Sequence, residues 1–381
     1  MSLYPDRPWQ PAHFVERLNR FVMRFEKDGK IIEAHTANPG RMEEFRLPGH
    51  PFFLIPHSRG KYPFRVVSTV YQGAFVLLDT IKVNHIMEIL LRRRLIPEFP
   101  DSQDLKREVS LRRSKFDFML KNSRNRPIVL EVKSCNLCHR GVAMFPDAPT
   151  SRGRRHLQDL EQLADEGIET WVFYLITNWN AGVFMPNVHT DPDYCRTFVS
   201  LKKVKSLAYK IKLTDPITVD LASLKPVPID IAKTIENCRD RGSYLLVLEN
   251  ENDSSKKIGS LGERQFQKGF YVYVGSALNG LSSRIRRHRR IRKKIHWHLD
   301  YIVPSFMKIR KIYPIRRMER LEMPLAQRLT AIAEGYIDGF GASDTANPSH
   351  LFYFSENPVQ KRKFLDAVFG FQCIESDLQS G

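Results

Sequence analysis

Cysteine, acidic residues and long apolar runs are all scarce in this chain. Its 381 residues include five cysteines, an odd number. That argues against a disulfide framework and fits a reducing compartment. No run of about 18 apolar residues occurs, so no transmembrane helix is predicted. The opening stretch, MSLYPDRPWQPAHF, lacks an apolar core of the secretory type, which points to the cytoplasm. There is no Walker or Rossmann glycine pattern, so nucleotide-driven work is not indicated. Low-complexity tracts and internal repeats are also missing. With 42% apolar residues the chain can build folded cores, and its length predicts two or three domains.

Acids are the minority charge. Against 60 Lys or Arg there are 42 Asp or Glu, a formal net charge of +18. Such a surplus suits a polyanionic partner, most simply nucleic acid. RIRRHRRIRKK, residues 284–294, concentrates eight cationic residues in eleven positions. Like charges repel, so a merely solvated face rarely packs them so densely. The stretch has little apolar face to offer a membrane, chiefly Ile285 and Ile291.

The expected architecture is multidomain α+β. Residues 1–82 show short strands and turns, with a hairpin around Asp28-Gly29 and strands near 66–70 and 74–78, as in a small β-barrel. Residues 83–236 open with a helix (82–95), then strands at 107–111, 115–120 and 128–133, a helix at 150–167 and a strand at 169–177. That order predicts an α/β sandwich with a mixed sheet. Residues 178–236 look less regular. From 237 to 381 the pattern restarts: two strands, a basic helix from about 281, a strand over HWHLDYIVPS and a helix around 319–333.

PIVLEVKSC (127–135) has the apolar content of a buried strand but carries Glu131 and Lys133, which alternation puts on one face. Asp117 is the single acid of the apolar strand KFDFML, 14 positions earlier. A hairpin of the two strands would set Asp117 beside Glu131 and Lys133. Buried charges are normally paired or bind metal. Asp117 and Glu131 are therefore candidate ligands for Mg²⁺ or Mn²⁺, with Lys133 stabilising charge that develops on a phosphate. Glu108, in the preceding strand, is a further candidate ligand or a plain surface acid. An ordinary Glu131–Lys133 ion pair is the alternative.

The spacing of Asp117, Glu131 and Lys133 is similar to the PD-(D/E)XK nuclease pattern. AHTANPGRM, KFDFML, LEVKSC, GVAMFPDAPTSRGRRHL and FMPNVHTDPDY together resemble the sugar fermentation stimulation protein (SfsA) family over about residues 10–230. The resemblance implies an OB-like, nucleic-acid-binding barrel before a PD-(D/E)XK-type domain, with the motif on Asp117, Glu131 and Lys133. Arg41 in NPGRM, and Arg152, Arg154 and His156 in RGRRHL at a helix N-terminus, are candidate phosphate contacts.

In the last third, GSYLLVL and FYVYVGSALNGLSSRIRRH resemble GIY-YIG nucleases, in particular a small domain found fused to some endonuclease III chains. The resemblance places catalytic roles on Tyr244, Tyr273, Arg284 and Glu322, with Glu319 as a competitor for the last. Arg286, Arg287, His288 and Arg290 would contact nucleic acid. Two departures stand out: the loop ENENDSSKKIGSLGERQFQK between the tyrosine strands, and Met323-Pro324 after Glu322, which confines that acid to the first helical turn or before it. The alternative is a binding domain whose tyrosines are ordinary strand aromatics. Cys135 and Cys138 form a lone CxxC, and His296 and His298 lack a third ligand, so neither pair makes a convincing metal site.

The reading as a whole is a metal-dependent nuclease acting on DNA, or also RNA, with largely sequence-independent binding. The alternative is a non-catalytic DNA-binding or regulatory protein with a degenerate site.

Overall fold

The computed structural model describes residues 1–57, 60–100, 103–342, 346–376 and 378. The chain divides into two units, Met1–Ile235 with Glu375–Gly381, and Glu236–Ile374. The terminal stretch expected with the last third thus groups with the first unit. Ser376 Oγ donates to Asp230 Oδ2 at 2.5 Å there.

The first unit opens with β1 (Gln10–Asn19), β2 (Val22–Lys27), β3 (Lys30–His35), β4 (Pro51–Pro56), β5 (Phe64–Tyr71) and β6 (Ala74–Leu77). β1 pairs with β2 and β4, β2 with β3, β3 with β5, and β5 with β4. This circuit of five strands closes on itself, so the expected barrel is present. Asp28 (φ 52°) and Gly29 (φ 73°) close the β2–β3 hairpin. Two successive left-handed residues match the right-handed twist of the strands they join. Phe14, Phe25, Phe52 and Leu54 fill the barrel interior.

The rest of the unit runs α1 (Thr80–Arg92), β7 (Gln103–Leu111), β8 (Ser114–Lys121), β9 (Pro127–Cys135), β10 (Cys138–His139), β11 (Val142–Phe145), α2 (Ser151–Asp165), β12 (Glu169–Ile176), β13 (Val183–Pro186), α3 (Pro192–Ser200), β14 (Lys205–Asp215), β15 (Thr218–Pro226) and α4 (Ile231–Asn237). β7, β8 and β9 are antiparallel; β9, β12 and β14 are parallel; β15 returns antiparallel on β14. α1 covers one face, packing Ile86 and Leu90 on Phe118, Leu130 and Phe173. α2 covers the other with Leu157, Leu160 and Leu163 on Val129, Val172 and Tyr174. Each fully buried leucine contributes about 1.5–3 kcal/mol, more than local propensity supplies to so short a helix.

The stretch expected to be irregular in fact holds two of the longest strands, β14 and β15. Tyr209, Ile211 and Leu213 alternate inward while Lys210 and Lys212 take the other face.

The second unit contains β16 (Gly242–Asn250), β17 (Ser254–Lys257), β18 (Glu263–Phe266), β19 (Gly269–Ala277), α5 (Leu281–Arg289), α6 (Leu299–Ile302), β20 (Met307–Ile315), α7 (Glu322–Thr330), β21 (Gly335–Tyr336), β22 (Leu351–Phe354) and α8 (Arg362–Gln372). Its antiparallel sheet has the order β20-β16-β19-β22-β21. The loop inserted between the tyrosine strands is itself the hairpin β17–β18. HWHLDYIVPS is not a strand. Asp300 accepts the backbone N–H of His296 and Trp297 at 3.0 and 3.1 Å, which folds the segment into a cap on α6.

Candidate active site

β8 and β9 pair only from Phe118↔Leu130 to Lys121↔Pro127. Beyond that register the ladder stops. Asp117 occupies the gap, and its Oδ2 accepts the N–H of Val132 at 2.8 Å. Asp117 Oδ1 accepts from Asn84 Nδ2 of α1 at 2.7 Å. Phe116 and Phe118 flank Asp117 yet pack into opposite cores, Phe116 under α2 and Phe118 under α1. Strict alternation would put both on one face, so the strand turns over at Asp117.

Glu131 is 3% exposed. Its Oε1 accepts from Lys133 Nζ at 2.5 Å and from His156 Nδ1 at 2.5 Å. Its Oε2 is buried with no hydrogen-bond partner among the described residues. A buried carboxylate oxygen without a partner is costly, and two adjacent hard oxygen donors suit Mg²⁺, Mn²⁺ or Ca²⁺. The residues therefore fit a divalent cation. Burial pushes the Asp117 carboxyl up to about 6, with the Glu131 charge adding to it and the Val132 N–H and Lys133 opposing. Burial works on Glu131 too, but Lys133 and then His156 outweigh it and hold its carboxyl below the usual range. The two carboxyls are thus driven apart, as in sites with divided acid–base roles.

Two candidates fall elsewhere. Glu108 is not drawn into the cluster: its carboxylate is exposed and paired with Lys115 Nζ at 2.6 Å. The chain at Glu108 adopts φ 55°, which breaks the alternation that would have aimed it beside Asp117. His156 does not meet solvent phosphate, being 2% exposed. It donates from Nδ1 to Glu131 and accepts at Nε2 from Arg152 Nε at 3.2 Å. Gly153 sits where a Cβ would crowd Thr150 and Tyr194, which brings the first turn of α2 in close. Arg152 and Arg41 are exposed, whereas Arg154 is paired with Asp193 at 2.8 Å. Cys135 and Cys138 are buried and not joined in a disulfide, and Cys135 Sγ donates to Met144 O at 3.4 Å.

In the second unit, Tyr244, Tyr273, Arg284 and Glu322 all line one cleft of about 540 Å³ with Ser276, Trp297 and His298. Tyr244 OH lies 2.7 Å from His288 Nε2. Burial, then the neighbouring Tyr273, raises the Tyr244 hydroxyl well above its usual value. Arg284 NH1 donates to Ser276 O at 3.2 Å while its guanidinium lies 4.1 Å from the Trp297 ring centre. Glu322 is the first residue of α7, accepts from Ser276 Oγ, and meets His350 Nδ1 at 3.3 Å. Burial opposes ionisation of Glu322, but the His350 and Ser276 contacts hold its carboxyl low. Glu319 instead pairs with Arg317 at 2.6 Å.

The basic segment divides. Arg286 and Arg290 are exposed. His288 is fully buried, and burial followed by Lys293 pushes its ring down to about 3, so it is not a phosphate contact. Arg287 and Lys293 both pair with Asp300, at 2.9 and 3.0 Å. His298 Nδ1 accepts from Gly341 N–H at 2.9 Å, and among the described residues no group of three His, Cys, Asp or Glu has metal-binding spacing.

A sugar fermentation stimulation protein homolog from Natranaerobius thermophilus is 36% identical over 208 residues, 52% of this chain and 86% of the relative. The Aquifex aeolicus homolog is 36% identical over 191 residues, 50% of this chain and 84% of the relative. The chain belongs to the sugar fermentation stimulation protein family. The SfsA N-terminal OB domain matches residues 15–78, and the sugar fermentation stimulation protein RE domain matches residues 82–216. The solved structure of Pyrococcus furiosus SfsA in complex with Ca²⁺ is 26% identical, with a TM-score of 0.55, and covers 61% of this chain and 100% of that one. Residues 243–372 match a domain of unknown function, DUF123. The SfsA segments therefore account for Asp117 and Glu131, and the DUF123 segment for Tyr244 and Glu322.

Sequence reasoning missed Asn84, Ser276, Trp297, Asp300 and His350. Asn84 was one of several polar residues of the α1 stretch, and nothing in its spacing pointed to Asp117. Asp300 stood six residues beyond the dense cationic run, and its role appears only when that run folds back.

Proposed function

We propose that the first unit is a metal-dependent nuclease of the PD-(D/E)XK type that hydrolyses phosphodiester bonds of DNA. The observation that carries the reading is Glu131 Oε2, buried without a partner among the described residues, in a carboxylate whose charge acts on Asp117. Asp117 and Glu131 would hold Mg²⁺ or Mn²⁺. When bound, such an ion supplies positive charge to phosphate oxygens and acidifies water. Lys133, anchored on Glu131, stabilises charge developing on the phosphate, and His156 fixes the Glu131 rotamer from behind. Arg152 and Arg41 offer exposed cations to the backbone, a contact that carries no base information. Ca²⁺ bound to the Pyrococcus relative supports oxygen-ligand chemistry in this family. RNA is a second substrate to test, and a cytoplasmic location is proposed with it, supported by five cysteines outside any disulfide.

For the second unit we propose a GIY-YIG-like phosphodiesterase centre. Glu322 is a carboxylate that would hold a divalent ion, Arg284 a phosphate contact, and Tyr244 a hydroxyl oriented by His288. A different reading, a DNA-binding protein without catalysis, draws on the absence of three-ligand clusters among the described residues. Plasmid and single-stranded substrates incubated with Mg²⁺ or Mn²⁺, using wild type, Glu131→Gln and Tyr244→Phe/Arg284→Ala, separate these readings. Loss of cleavage in Glu131→Gln supports the first centre. Equal cleavage by wild type and both variants overturns both centres.

A further inference from the structure

Arg17 makes an unusual set of bonds. Its Nε donates to Asn19 O at 3.1 Å, and its NH2 donates to Arg20 O at 2.6 Å and Asn38 O at 3.0 Å. Its NH1 donates to Arg41 O at 3.2 Å and to Gly40 O. One guanidinium thus ties the β1–β2 turn to the loop that carries Arg41. Gly40 allows a second tie, since a Cβ there would collide with the Asp147 carboxylate. Met42 N–H also donates to Asp147 Oδ2 at 3.3 Å. Asp147 lies three residues before Thr150, the N-cap of α2, the helix that carries Arg152 and His156 to Glu131.

On this braced surface Phe21 is 46% exposed at a turn where polar residues are the rule. Its ring is stacked on His35, 6.4 Å between centres at 14°. The Arg20 guanidinium stands 5.7 Å from the Phe21 ring centre. The side chains of Arg20 and Arg41 are exposed and form no ion pair among the described residues. An exposed apolar ring by itself says little. A ring near-parallel to an imidazole, with the Arg20 guanidinium over it, exposed Arg41 on the loop tied to the same turn, and five carbonyl contacts holding that turn, is a different matter. A base-stacking platform combines an aromatic face with cations for the backbone, and this one lies on the barrel tied to the loop that leads to the Asp117–Glu131 site.

We infer that Phe21 and His35 form a stacking platform for an unpaired nucleobase, with Arg20 and Arg41 gripping the adjoining phosphates of a single strand. The inference rests on the nuclease reading for its biological sense: the platform would hold an unpaired end beside the loop leading to the Asp117–Glu131 site. Stacking needs a base free of its duplex partner, so the surface discriminates single strands from duplexes without reading sequence.

The test is fluorescence anisotropy in EDTA, so that cleavage plays no part. Labelled single-stranded DNA and RNA of about 15 nucleotides, a span within one OB-type site, are compared with a duplex of the same length. Phe21→Ala should weaken single-strand binding about tenfold and duplex binding less than about twofold, while Phe21→Trp retains wild-type affinity. Arg20→Ala and Arg41→Ala should weaken both and each reduce the salt slope by about one. Unchanged melting temperatures confirm that these exposed substitutions leave the fold intact. Single-strand binding by Phe21→Ala equal to wild type, or an equal loss on duplex, overturns the platform. If Glu131→Gln cleaves as wild type does, the nuclease reading fails while the platform stands. The DNA and RNA arms identify which strand is preferred.

Discussion

The carboxylate of Asp117 takes the place of a backbone partner for Val132. Its Oδ2 accepts the Val132 N–H at 2.8 Å where the β8–β9 ladder has ended. One carboxylate thereby caps a parted strand pair and faces Glu131. The consequences for metal binding, pH response and stability can be measured.

Glu131→Gln should abolish the stabilisation of the first unit by divalent ions. Wild type is expected to gain thermal stability with millimolar Ca²⁺ or Mg²⁺, following the linkage of binding to folding. Differential scanning calorimetry checks this. A Ca²⁺ shift in Glu131→Gln as large as in wild type would place the ion elsewhere.

Asp117 sets a pH signature. Burial, then the Glu131 charge, pushes its folded carboxyl up to about 6 from the ordinary 3.8, so the folded state holds its proton more tightly than the unfolded state. Stability therefore falls as pH rises through that window, and the penalty is complete above about pH 6. Without metal, Asp117→Asn should be more stable than wild type at pH 7.5, by on the order of 2 kcal/mol, and gain nothing at pH 4. Urea titrations at the two pH values measure the gap. A gap independent of pH would show that the carboxyl is not perturbed.

His156→Ala should weaken metal binding about 10–100-fold without removing a ligand, because it frees the Glu131 carboxylate to rotate. Isothermal titration with Mn²⁺ reads this directly. His156→Gln, which can still donate, should recover part of the loss. Affinity equal to wild type in His156→Ala would assign the ring to packing alone.

Asp300→Asn should destabilise the second unit by roughly 3 kcal/mol, since it leaves Arg287 and the 4%-exposed Lys293 without their counter-charge. Burial opposes the charge, yet hydrogen bonds from Arg287, the Trp297 N–H and Lys293 hold the Asp300 carboxyl down to about 2. A depressed carboxyl stabilises above its unfolded value, and that contribution is lost as pH falls from about 4 toward 2. The variant should therefore lose the steepest part of the acid-unfolding profile. An unaltered profile would remove Asp300 as the anchor of the basic segment.

If both centres act, Tyr244→Phe/Arg284→Ala combined with Glu131→Gln should remove cleavage that either change alone leaves. Single-turnover assays on plasmid resolve the two contributions, and cleavage that persists in the combined variant points to a third site.

Much of this molecule follows from local rules. The Asp28-Gly29 hairpin, the two-sided burial of β12 and the leucine stripe of α2 each reflect a period or a turn preference that a chain of this composition cannot easily evade. The same rules put Glu131 and Lys133 on one face, and they meet at 2.5 Å. Where local rules misled, a long-range contact had overridden them. β14 and β15 escaped notice because their lysines dilute the apolar pattern that the sheet interior completes. HWHLDYIVPS has strand-like residues, but Asp300 draws its backbone into a cap.

The sequence by itself determined which side chains were available and at what spacing: two acids and a lysine in apolar strands, a cationic run, two tyrosines at strand centres. Only the tertiary structure decided how each was used. His156 became a partner of Glu131 and His288 a partner of Tyr244, because burying an imidazole requires a hydrogen-bonding neighbour that no local spacing specifies. Glu108 stayed in solvent because one left-handed residue turns its side chain away. The order of residues sets the local periodicities, but exposure and partnership are properties of segments far apart in the chain, and those are fixed only when the sheet and its helices close on one another.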